Sequence, residues 1–346
     1  MARFVITAFI LSSMACGAQA HHSRAAFQLD RTATFKATIK SVSWSNPHVY
    51  FVGEVIDERG KKEEWTFEGH SISGLVRLGW KKDTLKAGDV VQVVVNVHRD
   101  AAKHFALVDH VIMPDGTKMY STGQPFQAAA PKPVSPSTDF SGNWRYKFPG
   151  TPAEVRARIL AGPQPPAPDL PYTDKGKAQV KAYNEDDNPS YSCGPISLPG
   201  VLMTVYEYKW IRKPDRVIIQ KEQQEHADRV IHLKQSSKPA GYKPNPLGYS
   251  VGRFESDGTF VVETTGFNEV RWGNGYGIDS SSQKRIVERY KLTNGGMGLS
   301  LSYTLEDPVY FTKPIAAQGE FTKMPDAEFD NQACDPKAAR RHLQFE

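Results

Sequence analysis

Apolar and polar residues alternate with a period of two along much of the chain, the mark of half-buried strands. Phe35, Ala37 and Ile39 alternate with polar neighbours, and Val42 and Trp44 extend the run. Asn46-Pro47 ends it, because proline cannot donate to a ladder. His48 to Ile56 predicts a second strand, closed by the turn Asp57-Glu58-Arg59-Gly60. Glu64 to Glu68 is a third, with Trp65 and Phe67 on one face. Ser71 to Leu78 reads as a short helix, capped by Ser71 or Ser73 and ended by Gly79. Val90 to Val97 and His104 to Met113 complete the set. Three strands, a helix and two strands is the order of an OB-like five-stranded barrel, expected over residues 21–120.

Residues 121–138, rich in Pro, Ala and Ser, read as a semi-extended linker. The pattern then changes. Trp144 begins a short strand, and helices are expected over 151–160 and 174–183 among proline-rich loops. From Val201 short strands dominate: 201–210, 216–223, 229–233, 249–255, 259–265, 284–292, 299–305, 310–312 and 315–322. Turns such as Ser256-Asp257-Gly258 and Thr293-Asn294-Gly295-Gly296 join some of them. The expectation is a mainly β protein: the OB-like barrel, then an antiparallel meander over 139–346 closing into an up-and-down, lipocalin-like β-barrel. Gly142-Asn143-Trp144 resembles the opening of lipocalin-like chains.

Composition adds a compartment. Arg3, the apolar run Phe4–Met14 and Ala18-Gln19-Ala20 form a secretory signal pattern over residues 1–20, with cleavage expected after Ala20. A periplasmic or secreted location follows. The apolar run is too short to serve as a membrane span, and no other segment reaches that length. Cys193 and Cys334 remain after the signal, and in an exported chain they favour one disulfide. The net charge of +5 is spread without a Lys/Arg block, which argues against a nucleic-acid partner.

Family resemblance rests on particular residues. His21-His22-Ser23, Phe27, Asp30, Trp44-Ser45-Asn46-Pro47-His48, Trp65, Leu75, Gly79-Trp80 and Leu85-Lys86-Ala87-Gly88-Asp89 resemble DUF6152, an exported bacterial family of unknown function. The resemblance implies an exported β-domain over about residues 20–120 and no activity. The second half is similar to uncharacterised exported proteins through Ser250–Phe254, Thr259–Phe267, Val287–Tyr290 and Glu306–Pro308. Relatives of that type carry histidines where this chain has Tyr249 and Ser280, which argues against histidine chemistry here.

Candidate chemistry takes three forms. The first is a small-molecule ligand in the second barrel, held by Arg253, Glu263, Glu288, Trp272 and Tyr276; Trp272 to Gly277 would be a loop over its mouth. The second is copper. A mature N-terminal His21 offers an amine and an imidazole nitrogen, with His22 and His48 as further ligands, a nitrogen set that suits Cu(II). Against it stands a frayed terminus and a structural His48. The third is a barrel enzyme of isomerase, hydratase or lyase type, using Glu263, Glu288, Glu306 or Asp307 as general base. The opposing reading makes these carboxylates ordinary salt-bridge partners of arginines such as Arg253 and Arg289. No GxSxG, Walker or HExxH pattern is present.

Overall fold

The computed structural model describes residues 26–56, 59–121, 139–151, 154, 166–167, 169–202, 204, 206–222, 228–235, 237–275, 277–324, 329 and 332–341. The expected signal segment, His21, His22, residues 122–138 of the expected linker, Tyr276 and most of the helix expected over 151–160 lie outside them.

The first barrel contains β1 (Ala33–Ser43), β2 (Tyr50–Ile56), β3 (Lys62–Glu68), α1 (Ile72–Arg77), β4 (Val90–Val97) and β5 (Phe105–Ile112), with the short β6 (Lys118–Tyr120) added outside β5. Its neighbours run β3-β2-β1-β4-β5, and β5 returns to β3. The expected five-stranded closure is therefore present. Phe51, Phe67, Ile39, Val93, Val95 and Val108 fill the inside. Helix α1 adds Ile72 and Leu75 to that core, and the Ser71 hydroxyl caps it by accepting from Gly74 N at 3.2 Å.

The second barrel is a nine-membered ring. It comprises β7 (Gly142–Lys147), β8 (Glu207–Arg212), β9 (Arg216–Lys221), β10 (Arg229–His232), β11 (Tyr249–Phe254), β12 (Phe260–Thr265), β15 (Arg285–Thr293), β16 (Gly298–Glu306) and β17 (Ile315–Lys323), which pairs back to β7. A hairpin, β13 (Val270–Gly275) with β14 (Ile278–Ser280), is inserted between β12 and β15. Helix α2 (Asp174–Lys181) precedes the main run of strands, and α3 (Pro336–Ala339) follows it.

The pairing departs at one place from the antiparallel meander expected of the second barrel. A ring of strands that alternate in direction must have an even number of members. Rings of five and nine cannot alternate throughout. Each resolves the conflict with one parallel pair, β3–β5 in the first and β10–β11 in the second. Parallel neighbours need a long crossover. Residues 69–104, including α1 and β4, supply it in the first barrel, and residues 233–248 in the second. Three smaller corrections follow. Gly200–Leu202 is a 3₁₀ turn ahead of β8, 310–312 contribute to pairing only the isolated bridge of Phe311 to Tyr172, and the described residues of the stretch expected as a loop, 272–275 and 277, belong to the β13–β14 hairpin.

The inside of the second barrel is packed with side chains. Trp144, Tyr146, Tyr208, Trp210, Phe260, Ile286, Tyr290, Leu301 and Phe321 belong to one buried cluster. Within it lies an ion pair. Arg229 donates to Glu288 at 3.0 and 2.5 Å, and also to Thr264 Oγ1 at 3.0 Å and Ser250 Oγ at 3.2 Å. Such a pair is tolerated in a core when its remaining polar atoms also find partners.

Among the described residues, two of the contacts that join the barrels stand out. Arg77, at the end of α1, meets Glu207 at 3.2 Å and also pairs with Glu222; both carboxylates are fully covered. Burial pushes the Glu207 carboxyl above its ordinary range, against the pull of Arg77 and Arg145. The other contact is a strap, residues 332–341, that lies against the first barrel. Asn46, fully buried, is its anchor. Its side-chain amide donates to Gln332 O at 3.2 Å and its Oδ1 accepts from Ile72 N at 3.3 Å. Asn46 O accepts from Asp335 N at 2.8 Å. Cys334 is bonded to Cys193, the disulfide expected from the sequence. Ala338 then packs with Phe27, Tyr50, Phe105 and Leu107, and the Arg341 guanidinium sits 5.3 Å from the centre of the Tyr50 ring.

Truncating Asn46 leaves the buried Ile72 N–H without its side-chain partner and removes the contact to Gln332 O. Asn46→Ala is expected to lower the unfolding free energy by about 2–4 kcal/mol in urea titration. Lys36→Ala, on an exposed position of β1, should stay within about 0.5 kcal/mol.

Candidate functional site

The largest departure from a plain ring is the β13–β14 hairpin, and a cleft lies between it and α2. The hairpin closes tightly because position 273 has no side chain: a Cβ on Gly273 would stand 2.2 Å from Ser280 Oγ. The preceding Trp272 has φ of +55°, a left-handed conformation that costs a non-glycine residue about 1 kcal/mol or more. Two contacts hold it there. Its backbone N–H donates to Asp279 Oδ1 at 2.9 Å, and its ring stacks on Tyr183 at 5.4 Å.

Helix α2 is fixed to the same hairpin. Thr173 caps it by accepting from Gly176 N, and the Thr173 hydroxyl donates to Val309 O at 2.7 Å. Gln179 makes a two-way contact with Asp279, donating to Oδ2 at 2.7 Å and accepting from the Asp279 N–H at 2.9 Å. The cleft so formed has a volume of about 480 Å³, within the range of small-molecule sites. Tyr183, Asp187, Glu269, Arg271, Trp272, Asp279, Ser280 and Tyr310 are among its walls. Arg271 pairs with Asp187 at 2.9 Å. Ser280 is 1% exposed, and its hydroxyl oxygen has no hydrogen-bond partner among the described residues.

Beneath the hairpin are two buried charges. Asp307 accepts from Ser281 Oγ at 2.7 Å, Ser281 N at 2.8 Å and Asn274 Nδ2 at 2.8 Å. Lys284 Nζ donates to Ser197 Oγ at 2.6 Å, Leu198 O at 2.8 Å and Gly273 O at 3.0 Å, and lies 4.3 Å from the Phe267 ring centre. These contacts use all three ammonium donors. Desolvation pushes Lys284 down to about 7, with Asp307 opposing the shift. The Ser197 hydroxyl donates onward to Pro246 O, so the lysine serves as a structural tie for three loops.

The residues expected around a ligand are dispersed. Trp272 lines the cleft. Arg253 is exposed on β11, 3.9 Å from Glu255, and Glu263 pairs with Arg285 at 2.8 Å on the outer face. Glu288 points inward to Arg229. Arg289, expected as a partner of these carboxylates, pairs with Glu255 instead. His48 Nδ1 is 2.6 Å from Glu68 Oε1, and Tyr50 lies directly across from Glu68 in the ladder. Among the described residues, no group of three or more His, Cys, Asp or Glu is placed to hold a metal, and no helix is long and apolar enough to cross a membrane.

Sequence reasoning missed Gln179, Tyr183, Asp279 and Lys284. Asp279 and Lys284 flank an ordinary polar turn, and nothing in their local pattern separates them from solvated residues. The positive φ at Trp272, beside Gly273, was foreshadowed only by the glycine-rich spacing.

A family signal reaches across most of the first barrel. Residues 8–106 match DUF6152, a family of unknown function. The DUF6152 match includes Asn46, Pro47, His48 and Glu68, and it stops two residues into β5. The cleft, Lys284 and Asp307 all lie beyond it. Comparison with curated proteins and with solved structures returns no match.

Lys284 gives the stability a defined pH dependence. Its unfolded counterpart keeps the proton up to the ordinary lysine value of 10.5, while the folded residue releases it near 7. Below about pH 7 both states are charged and the desolvation cost is fully present. Above it the unfolded chain binds more protons, so this residue's contribution to stability rises with pH. Wild type should gain on Lys284→Met by up to about 1.4 kcal/mol per pH unit between about pH 7 and pH 9. Urea unfolding of both proteins across that range measures it; a constant difference would mean that the lysine keeps its proton throughout.

Proposed function

We propose that the protein is an exported small-molecule-binding protein and that its ligand occupies the cleft between α2 and the β13–β14 hairpin. The observation that carries this reading is Trp272. A strained aromatic residue is held against Tyr183 at the wall of a 480 Å³ cleft, beside a buried hydroxyl with no partner. Strain of this kind concentrates at ligand clamps. The packed interior of the ring supports the end cleft over a ligand inside it. The Cys193–Cys334 disulfide supports an oxidising compartment, and with it export.

Native mass spectrometry of protein purified from its own host tests the reading. An adduct is expected on the wild type and should be lost in Trp272→Ala. A wild-type protein without adduct, or an adduct that survives Trp272→Ala, would sink it.

A second reading is favoured by one contact. The buried Glu68 holds Nδ1 of His48, the arrangement that orients the opposite nitrogen of a metal-binding histidine. With a free His21 amine and imidazole, it would suit Cu(II). Processed protein and a form with one extra N-terminal residue should then differ in Cu(II) affinity by about tenfold or more. Equal titration curves would discard the copper reading.

A further inference from the structure

The cleft has a charge opposite to that of the protein around it. The whole chain carries +5, yet the charged residues lining the cleft are three carboxylates, Asp187, Glu269 and Asp279, against one cation, Arg271. Arg271 is engaged by Asp187. Asp279 is committed to Gln179 and to the Trp272 backbone. Glu269, exposed at the rim, is the carboxylate left to meet a ligand.

Aromatic faces accompany these charges. Trp272, Tyr183 and Tyr310 all line the cleft. The ring of Tyr310 is already taken by a cation, since Lys175 Nζ stands 4.9 Å from its centre, which leaves the Trp272 and Tyr183 rings to a ligand. Aromatic rings present negative faces, and rings combined with carboxylates favour an organic ammonium group over a carboxylate or a neutral polyol. Ser280 lines the same wall, and its buried hydroxyl oxygen has no partner among the described residues.

We infer that the cleft selects an organic cation, an amine or quaternary ammonium compound of small-molecule size. The ammonium group lies against the Trp272 ring, with Glu269 supplying the opposite charge. This rests on the reading of the cleft as the ligand site. The carboxylates also give binding a salt dependence, because Glu269 is open to screening.

Isothermal titration of the full protein with choline, glucose and benzoate tests it. Choline is expected to bind at least about tenfold more tightly than either of the others. Glu269→Gln, a change at an exposed position that folding tolerates, should weaken choline by about fivefold or more and leave glucose and benzoate unchanged. Glucose or benzoate binding as tightly as choline, with loss in Trp272→Ala, would overturn the cation inference and leave the cleft as a ligand site. Absence of binding by all three would overturn the inference as well, and with an adduct-free host protein it would also remove the reading on which it rests.

Discussion

A closed ring with an odd number of strands must contain a parallel pair, and this constraint shapes both barrels. It places β3 beside β5 and β10 beside β11. Each parallel pair forces the chain to leave the ring and cross back. In the first barrel that excursion carries α1, whose Ile72 and Leu75 complete the core and whose Arg77 reaches the second barrel. In the second, residues 233–248 pass beside the Lys284 region, and Pro246 O accepts from the Ser197 hydroxyl that in turn accepts from Lys284. The irregular parts that join the barrels and support the cleft are thus tied to how the rings close.

Buried charge divides into two kinds. Arg229 and Glu288 neutralise one another inside the ring and consume the neighbouring hydroxyls, so their interior is structurally complete. Lys284 and Asp307 serve a different end. Each spends its hydrogen bonds on backbone and side-chain groups of the hairpin and the loops below it, so the geometry of Trp272 rests on them. The distinction explains why a carboxylate seen on a strand was a poor guide to the cleft. Glu288 lies at the centre of the barrel but is committed, while the exposed Glu269 at the cleft rim has its charge available.

The first barrel was the more legible half. Its strands alternate cleanly, Pro47 and Gly79 mark boundaries, and Ser71 announces the helix cap. Periodicity also disclosed the number and order of most strands in the second barrel. It did not disclose the direction of β10 against β11, because strand pattern records which face is covered and carries no information on which way a neighbour runs. The disulfide was legible since Cys193 and Cys334 were the two cysteines left after the leader pattern. The cleft was not. It depends on Gln179 meeting Asp279 across 100 positions of sequence, and on a backbone conformation at Trp272 that no propensity favours.

The strap has a consequence for the order in which the molecule is completed. Asn46 waits for a carbonyl 286 positions further along, and Ala338 supplies part of the cover over Tyr50 and Leu107. During vectorial synthesis, the earlier barrel emerges while that cover is still absent. Its outer apolar surface would remain open to chaperones or to other chains until the second ring has formed. The barrel made first is therefore the one finished last, and the integrity of its surface reports that the whole chain has arrived.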